Sequence, residues 1–100
     1  MARYKFTNKA VDDITNIWNY TFDNWSENQA DKYYLMLLEN CREVGNSPES
    51  GKSYSGVSEN LLGIKAGHHI IFYRKIDENE VEITRILHEQ MDLKNRMTEK

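Results

Sequence analysis

Two strand-like runs separated by a short polar break dominate the last third of this chain. His69-Ile70-Ile71-Phe72-Tyr73-Arg74-Lys75-Ile76 is dense in β-branched and aromatic residues, which suit a pleated, half-buried surface. Asp77-Glu78-Asn79-Glu80 is polar and of hairpin-loop length. Val81 to Leu87 then alternates at period two, which puts Val81, Ile83 and Leu87 on one face together with Arg85. An arginine on a buried face needs a partner or a route to solvent, because an unpaired buried charge is costly. The pattern predicts an antiparallel hairpin, with Arg85, His88, Glu89 and Asp92 gathered where its second strand ends. An ion pair from Arg85 to Glu89 or Asp92 is expected to close that end.

The rest of the chain supplies what such a hairpin must be packed against. Tyr4-Lys5-Phe6-Thr7 alternates like a short strand, and Asn8 reads as the N-cap of a helix. Ala10, Ile14, Ile17, Trp18, Thr21 and Trp25 recur at three- and four-residue steps and form one helical stripe, with Asp12 and Asp13 in the first turn. Ser26-Glu27-Asn28-Gln29 is a capping-box pattern opening a second helix. Its stripe is Ala30, Tyr33, Tyr34, Leu37, Leu38, Cys41 and Val44, and Gly45 with Pro48 marks its end, the glycine as a left-handed stop. Trp18, Trp25, Tyr33 and Tyr34 are expected in the core. Glu49 to Asn60 is the long connection, pinned by Tyr54 and Val57; Leu61 to Ala66 is a strand, and Gly67-His68 a tight turn. The expected fold is α+β, in the order β-α-α-β-β-β. It is an antiparallel three-stranded meander plus an N-terminal strand, with a helical hairpin packed on one face. Residues 1–92 are read as one domain and residues 93–100 as a polar tail.

Composition narrows the function classes. Lys and Arg number 13 against 16 Asp and Glu, a formal charge of −3, and the basic residues are scattered. Direct sequence-specific nucleic-acid binding, which calls for clustered Lys and Arg, is therefore not expected. No apolar run approaches the roughly 20 residues of a membrane span, and no secretory h-region follows Met1. Cys41 is the single cysteine, which excludes an internal disulfide and fits a reducing cytoplasm. His68 and His69 are neighbours on an extended segment and point to opposite faces, so they cannot readily chelate together. No metal or cofactor is expected.

Certain residues then carry a resemblance. Leu61-Leu62-Gly63 opens one strand and Ile71-Phe72-Tyr73-Arg74 lies in the next. Ile83-Thr84-Arg85-Ile86-Leu87-His88-Glu89-Gln90-Met91-Asp92 closes the chain, and Ala10-Val11-Asp12-Asp13-Ile14 with Ile17, Trp18 and Tyr20 opens it. This pattern resembles the ParE branch of the RelE/ParE toxin superfamily. The resemblance implies the toxin half of a type II toxin–antitoxin pair of the plasmid-stabilization kind, neutralised by a ParD-like antitoxin. ParE members are described as poisoning DNA gyrase, RelE members as cutting messenger RNA on the ribosome.

The residues favour binding over chemistry. Cleaving RNA through its own 2′-hydroxyl needs a general base, a general acid and a cation for the phosphate. Here His69 and Ile70 stand where the superfamily usually has an arginine. The expectation is a non-enzymatic gyrase inhibitor with no catalytic residue. A ribosome-dependent endonuclease, or a non-toxic homologue that only binds an antitoxin, is the alternative. The target surface is placed at Arg85, His88, Met91 and Asp92. Ile71 and Tyr73 share one face of their strand, with Ile70 and Phe72 on the other. Apolar residues on both faces imply a second cover besides the helices. In a toxin–antitoxin pair the cover would be the antitoxin's C-terminal segment, with Ile71 and Tyr73 as its contacts.

Overall fold

The computed structural model describes residues 3–90, so Met91, Asp92 and the tail at 93–100 lie outside the described residues. The strands are β1 Arg3–Phe6, β2 Lys52–Ser53, β3 Leu62–Ala66, β4 His69–Asp77 and β5 Glu80–His88; the helices are α1 Asn8–Asn24 and α2 Glu27–Asn46. Among the described residues the strands form one sheet in the order β1-β5-β4-β3-β2. The expected α+β architecture is present, with the short edge strand β2 added from within the long connection. β3, β4 and β5 form the antiparallel meander. β1 lies parallel to β5, from Arg3 opposite Glu80 to Phe6 opposite Ile83.

Local chemistry sets the element ends. Thr7, not Asn8, caps α1: its hydroxyl accepts from the Ala10 amide at 3.1 Å and donates to the Thr84 carbonyl at 2.8 Å. The first turn of α1 consequently holds no acid, and Asp13, one turn deeper, is free for another task. Ser26 caps α2 as expected, accepting from the Gln29 amide at 3.0 Å. Gly45 is not a left-handed stop. It lies inside α2, which runs on to Asn46, and a Cβ there would stand 3.3 Å from the Arg3 carbonyl oxygen. The glycine lets β1 cross close to the helix. The left-handed glycine is Gly67, at φ +62° in the β3–β4 turn. The β4–β5 turn is tighter than expected: Asp77 pairs with Glu80, and the Asp77 carboxylate accepts from the Asn79 amide at 2.8 Å.

The helical stripes land on one face of the sheet. Ile14, Leu37 and Val44 meet Ile71, Tyr73, Val81, Ile83 and Ile86 there. Each large aliphatic side chain buried in this layer contributes about 1.5–3 kcal/mol. Cys41 belongs to the same layer, and burial pushes its thiol up to about 12, which leaves it unreactive. Three aromatic residues assigned to the core are not in it. Trp18 stacks on the exposed Phe22 with centroids 5.2 Å apart, and its indole N–H donates to Asp31 at 3.0 Å. Trp25 is 74% exposed and Tyr34 36% exposed. Trp25 is the C-cap residue of α1, at the junction where α1 gives way to α2.

The second face of the sheet is covered by the chain itself. Ile70, Phe72, Leu87 and Leu61 form a separate buried cluster, and Tyr54 and Val57 pack over it. The Tyr54 ring meets Phe72 edge-on, with centroids 5.0 Å apart, and the Tyr54 amide donates to the Leu61 carbonyl at 2.8 Å. The expectation that an antitoxin covers this face through Ile71 and Tyr73 is thereby corrected. Both residues are 0% exposed beneath the helices, and the Tyr73 hydroxyl donates to the Pro48 carbonyl at 2.7 Å. Neither offers surface to a partner.

A bulge also changes which residues of β5 share a face. Phe72 pairs with Arg85 but Tyr73 pairs with Ile83, so Thr84 is the extra residue. Simple alternation would place Leu87 with Val81 and Ile83. The inserted residue shifts the phase: Ile86 joins the helix-facing layer, and Leu87 joins Ile70 and Phe72 on the far side.

Candidate functional site

Just past the bulge, β5 is tied to α1 by a nearly buried ion pair. The Arg85 Nε donates to Asp13 Oδ2 at 2.8 Å and its Nη2 to Asp13 Oδ1 at 3.0 Å. Asp13 Oδ2 also accepts from the Ile86 amide at 3.0 Å, and each side chain is only 12% exposed. A two-point guanidinium–carboxylate contact is strong and directional. The backbone bond adds a third constraint on the strand just beyond its irregular step. Of the expected partners, Glu89 pairs with Lys65 at 3.0 Å, and Asp92 lies outside the described residues. The unexpected partner comes from a helix in the first fifth of the chain.

The end of the sheet beside this clamp brings three imidazoles together. His69 opens β4, His88 closes β5 opposite it, and His68 belongs to the turn before β4. The His69 and His88 rings meet edge-on at 5.4 Å, and His68 and His88 stack with centroids 6.4 Å apart. The Tyr33 hydroxyl from α2 accepts from the His68 amide at 3.0 Å and lies 2.6 Å from His69 Nδ1. The hydroxyl proton has no other acceptor among the described residues, so it is directed at Nδ1. That assigns His69 as neutral, with its own hydrogen on Nε2. Burial is the main reason the His69 imidazolium is disfavoured, with the neighbouring His88 and His68 adding to it, so its pKa falls to about 4. Burial likewise raises the Tyr33 hydroxyl above its ordinary range.

A stability dependence follows from His69. Its pKa is near 6.5 in an unfolded chain and about 4 in the fold, so between these values the unfolded chain binds more protons. Its contribution to stability is complete above about pH 6.5 and is lost as pH falls toward about 4. Urea midpoints measured across that window are expected to drop. His69→Gln, which does not titrate but can still accept from Tyr33, is expected to flatten that part of the profile.

These elements wall an open groove of about 1040 Å³, at the upper end of the range of about 300–1,000 Å³ usual for ligand sites. Ile17 and Ile86 supply its apolar floor, and Tyr20, Trp25, His68, His69, His88 and Arg85 are among the residues that line it. Tyr20 is 67% exposed. Exposed aromatic residues beside an apolar floor are the composition found at the centres of protein interfaces. Of the residues expected at the target surface, Arg85 and His88 line this groove, while Met91 and Asp92 lie outside the described residues. Tyr20, Trp25, Tyr33 and His69 were not anticipated here. The legible signal was Tyr33 at helical spacing; that its hydroxyl reaches a strand 36 residues away was not. Among the described residues no group of three or more His, Cys, Asp or Glu side chains is arranged to hold a metal ion. No described helix is long and apolar enough to cross a membrane.

Comparison with known proteins places this geometry in a family. Residues 4–93 match the model for the ParE toxin of the type II toxin–antitoxin system parDE. Toxin ParE1 of Mycobacterium tuberculosis is 28% identical over 92 residues, covering 92% of this chain and 94% of its own. Toxin ParE1 of Caulobacter vibrioides shows the same identity and coverage, and Toxin ParE of Escherichia coli is 26% identical over 100 residues. In fold, the chain resembles a solved chain of the chromosomal ParDE system from P. aeruginosa at a TM-score of 0.74, with 18% identity over 88% of this chain and 96% of that one. With the family match running across nearly the whole sequence, from β1 through the clamp and the histidine corner, the chain belongs to the ParE toxin family of type II toxin–antitoxin systems.

Proposed function

We propose that this protein inhibits DNA gyrase by binding it, performs no covalent chemistry, and is neutralised by a ParD-like antitoxin whose C-terminal segment occupies the Tyr20–His88 groove. The observation that carries the antitoxin reading is the groove itself. Its apolar floor and exposed aromatic residues fit the apolar face of an amphipathic segment that orders on contact. The groove replaces Ile71 and Tyr73 as the docking surface. Binding rather than catalysis is supported by the state of the polar groups at this corner. Arg85 is committed to a carboxylate, which offsets the charge a phosphate would need, and His69 is engaged by Tyr33. Gyrase as the target rests on membership of the ParE family alone.

Plasmid supercoiling by gyrase with ATP tests the proposal. The protein free of antitoxin is expected to abolish supercoiling and to trap cleaved DNA, and the antitoxin to restore activity. Full supercoiling in the presence of folded, antitoxin-free protein would exclude the gyrase reading. A ribosome-dependent messenger-RNA cleavage assay would then be the next measurement. Tyr20→Glu is expected to weaken the antitoxin complex at least about a hundredfold, the scale of losing an aromatic anchor; calorimetry against the purified antitoxin reads it.

A further inference from the structure

The two imidazoles at the end of the groove have a fixed hydrogen-bonding polarity. Nδ1 of His69 is held by the Tyr33 hydroxyl, and Nδ1 of His88 accepts from the Gln90 amide at 3.2 Å. Both lone pairs are therefore turned inward. What each ring has left for the groove is Nε2, carrying hydrogen, and neither Nε2 has a hydrogen-bond partner among the described residues. The acids nearby are already engaged. From α1, Asp13 is taken by Arg85 and the Ile86 amide; after β5, Glu89 is taken by Lys65 of β3 and lies 3.4 Å from His68 Nδ1. α2 contributes the protonated Tyr33. Donors thus outnumber available acceptors at this end of an otherwise apolar groove.

We propose that this corner is a carboxylate-reading subsite, in which the Nε2–H groups of His69 and His88 take an Asp or Glu side chain of the antitoxin segment. The inference rests on the groove being the antitoxin's docking site, and it goes further by naming the chemistry read there. A carboxylate is an acceptor only, so it can take hydrogen bonds from both Nε2–H groups while the inward-facing bonds at Nδ1 stay in place.

Calorimetric titration with the purified cognate antitoxin tests this directly. His88→Gln keeps an N–H donor and is expected to bind like the unmodified protein. His88→Phe keeps an aromatic ring without the donor, and is expected to bind about tenfold more weakly, the scale of a hydrogen bond to a charged group. His88→Phe binding like the unmodified protein overturns the subsite. Tyr20→Glu separates this failure from that of the groove reading. Lost binding in Tyr20→Glu with no effect at His88 leaves the groove as docking site and removes the subsite; intact binding in Tyr20→Glu removes both.

Discussion

Arg85→Glu is expected to cost about 3–5 kcal/mol of folding stability, the range for stranding one member of a buried ion pair. The substitution does more than delete a contact. It sets a second carboxylate against Asp13 in a space where each partner is only 12% exposed, so neither can turn to water for compensation. Asp13 also holds the Ile86 amide, and its displacement loosens β5 at the step where Thr84 already interrupts the ladder. Against a total stability of about 5–15 kcal/mol for a domain of this kind, much of the population would unfold, and any toxicity would go with it. Urea denaturation followed by circular dichroism gives the number. Asp13→Asn is the comparator, since the amide oxygen can still accept from Ile86 while the charge is lost. His88→Ala is the control: its side chain is at the groove, and its one recorded hydrogen bond is to an exposed amide, so the fold should remain intact. Arg85→Glu unfolding at the unmodified midpoint would show that the clamp is not structural.

Phe72→Ala is expected to be comparably damaging, at about 3–5 kcal/mol for removing a buried phenylalanine. Phe72 is 0% exposed and central to the far-side cluster of Leu61, Ile70 and Leu87. Its loss leaves the Tyr54 ring without the edge it packs on. The damage should therefore be local before it is global. Amide exchange at Tyr54 and Leu61, whose backbones are paired to each other or to the adjoining turn, is expected to accelerate more than exchange in α2. Uniform acceleration across the molecule would mean that the two clusters melt as one unit. Protection unchanged at Tyr54 would show that the connection is held by its own turns and not by the ring beneath it.

The distribution of apolar side chains was enough to place the elements, because period two and period 3.6 are direct signatures of strand and helix. Ile14, Leu37 and Val44 fall on stripes that read as buried and are buried, and Ser26 announced the start of α2 by a local bond that needs no tertiary context. The candidate site was legible only in part. Arg85 and His88 stood out because ionisable groups at the end of an apolar strand demand an explanation. Their partners could not be read off. Asp13 lies 72 residues from Arg85 and Tyr33 lies 36 from His69, and such pairings are set by how the helical hairpin is laid across the sheet. Trp25 was misplaced for a related reason: helical spacing shows which residues share a stripe, but not how far the layer beneath it extends.

What the sequence determined by itself was the two helices and the longer strands, their order, the Ser26 cap of α2 and the existence of an apolar layer on each face of β4, all consequences of local geometry and side-chain periodicity. The tertiary structure decided what covers each layer, the parallel seat of β1 beside β5, and the phase of β5. One extra residue at Thr84 sends Leu87 to the opposite face from the one simple alternation assigns it. The groove belongs to the second group. Its walls come from α1, α2, β4 and β5, and residues this distant along the chain meet only once the core has fixed the helices against the sheet.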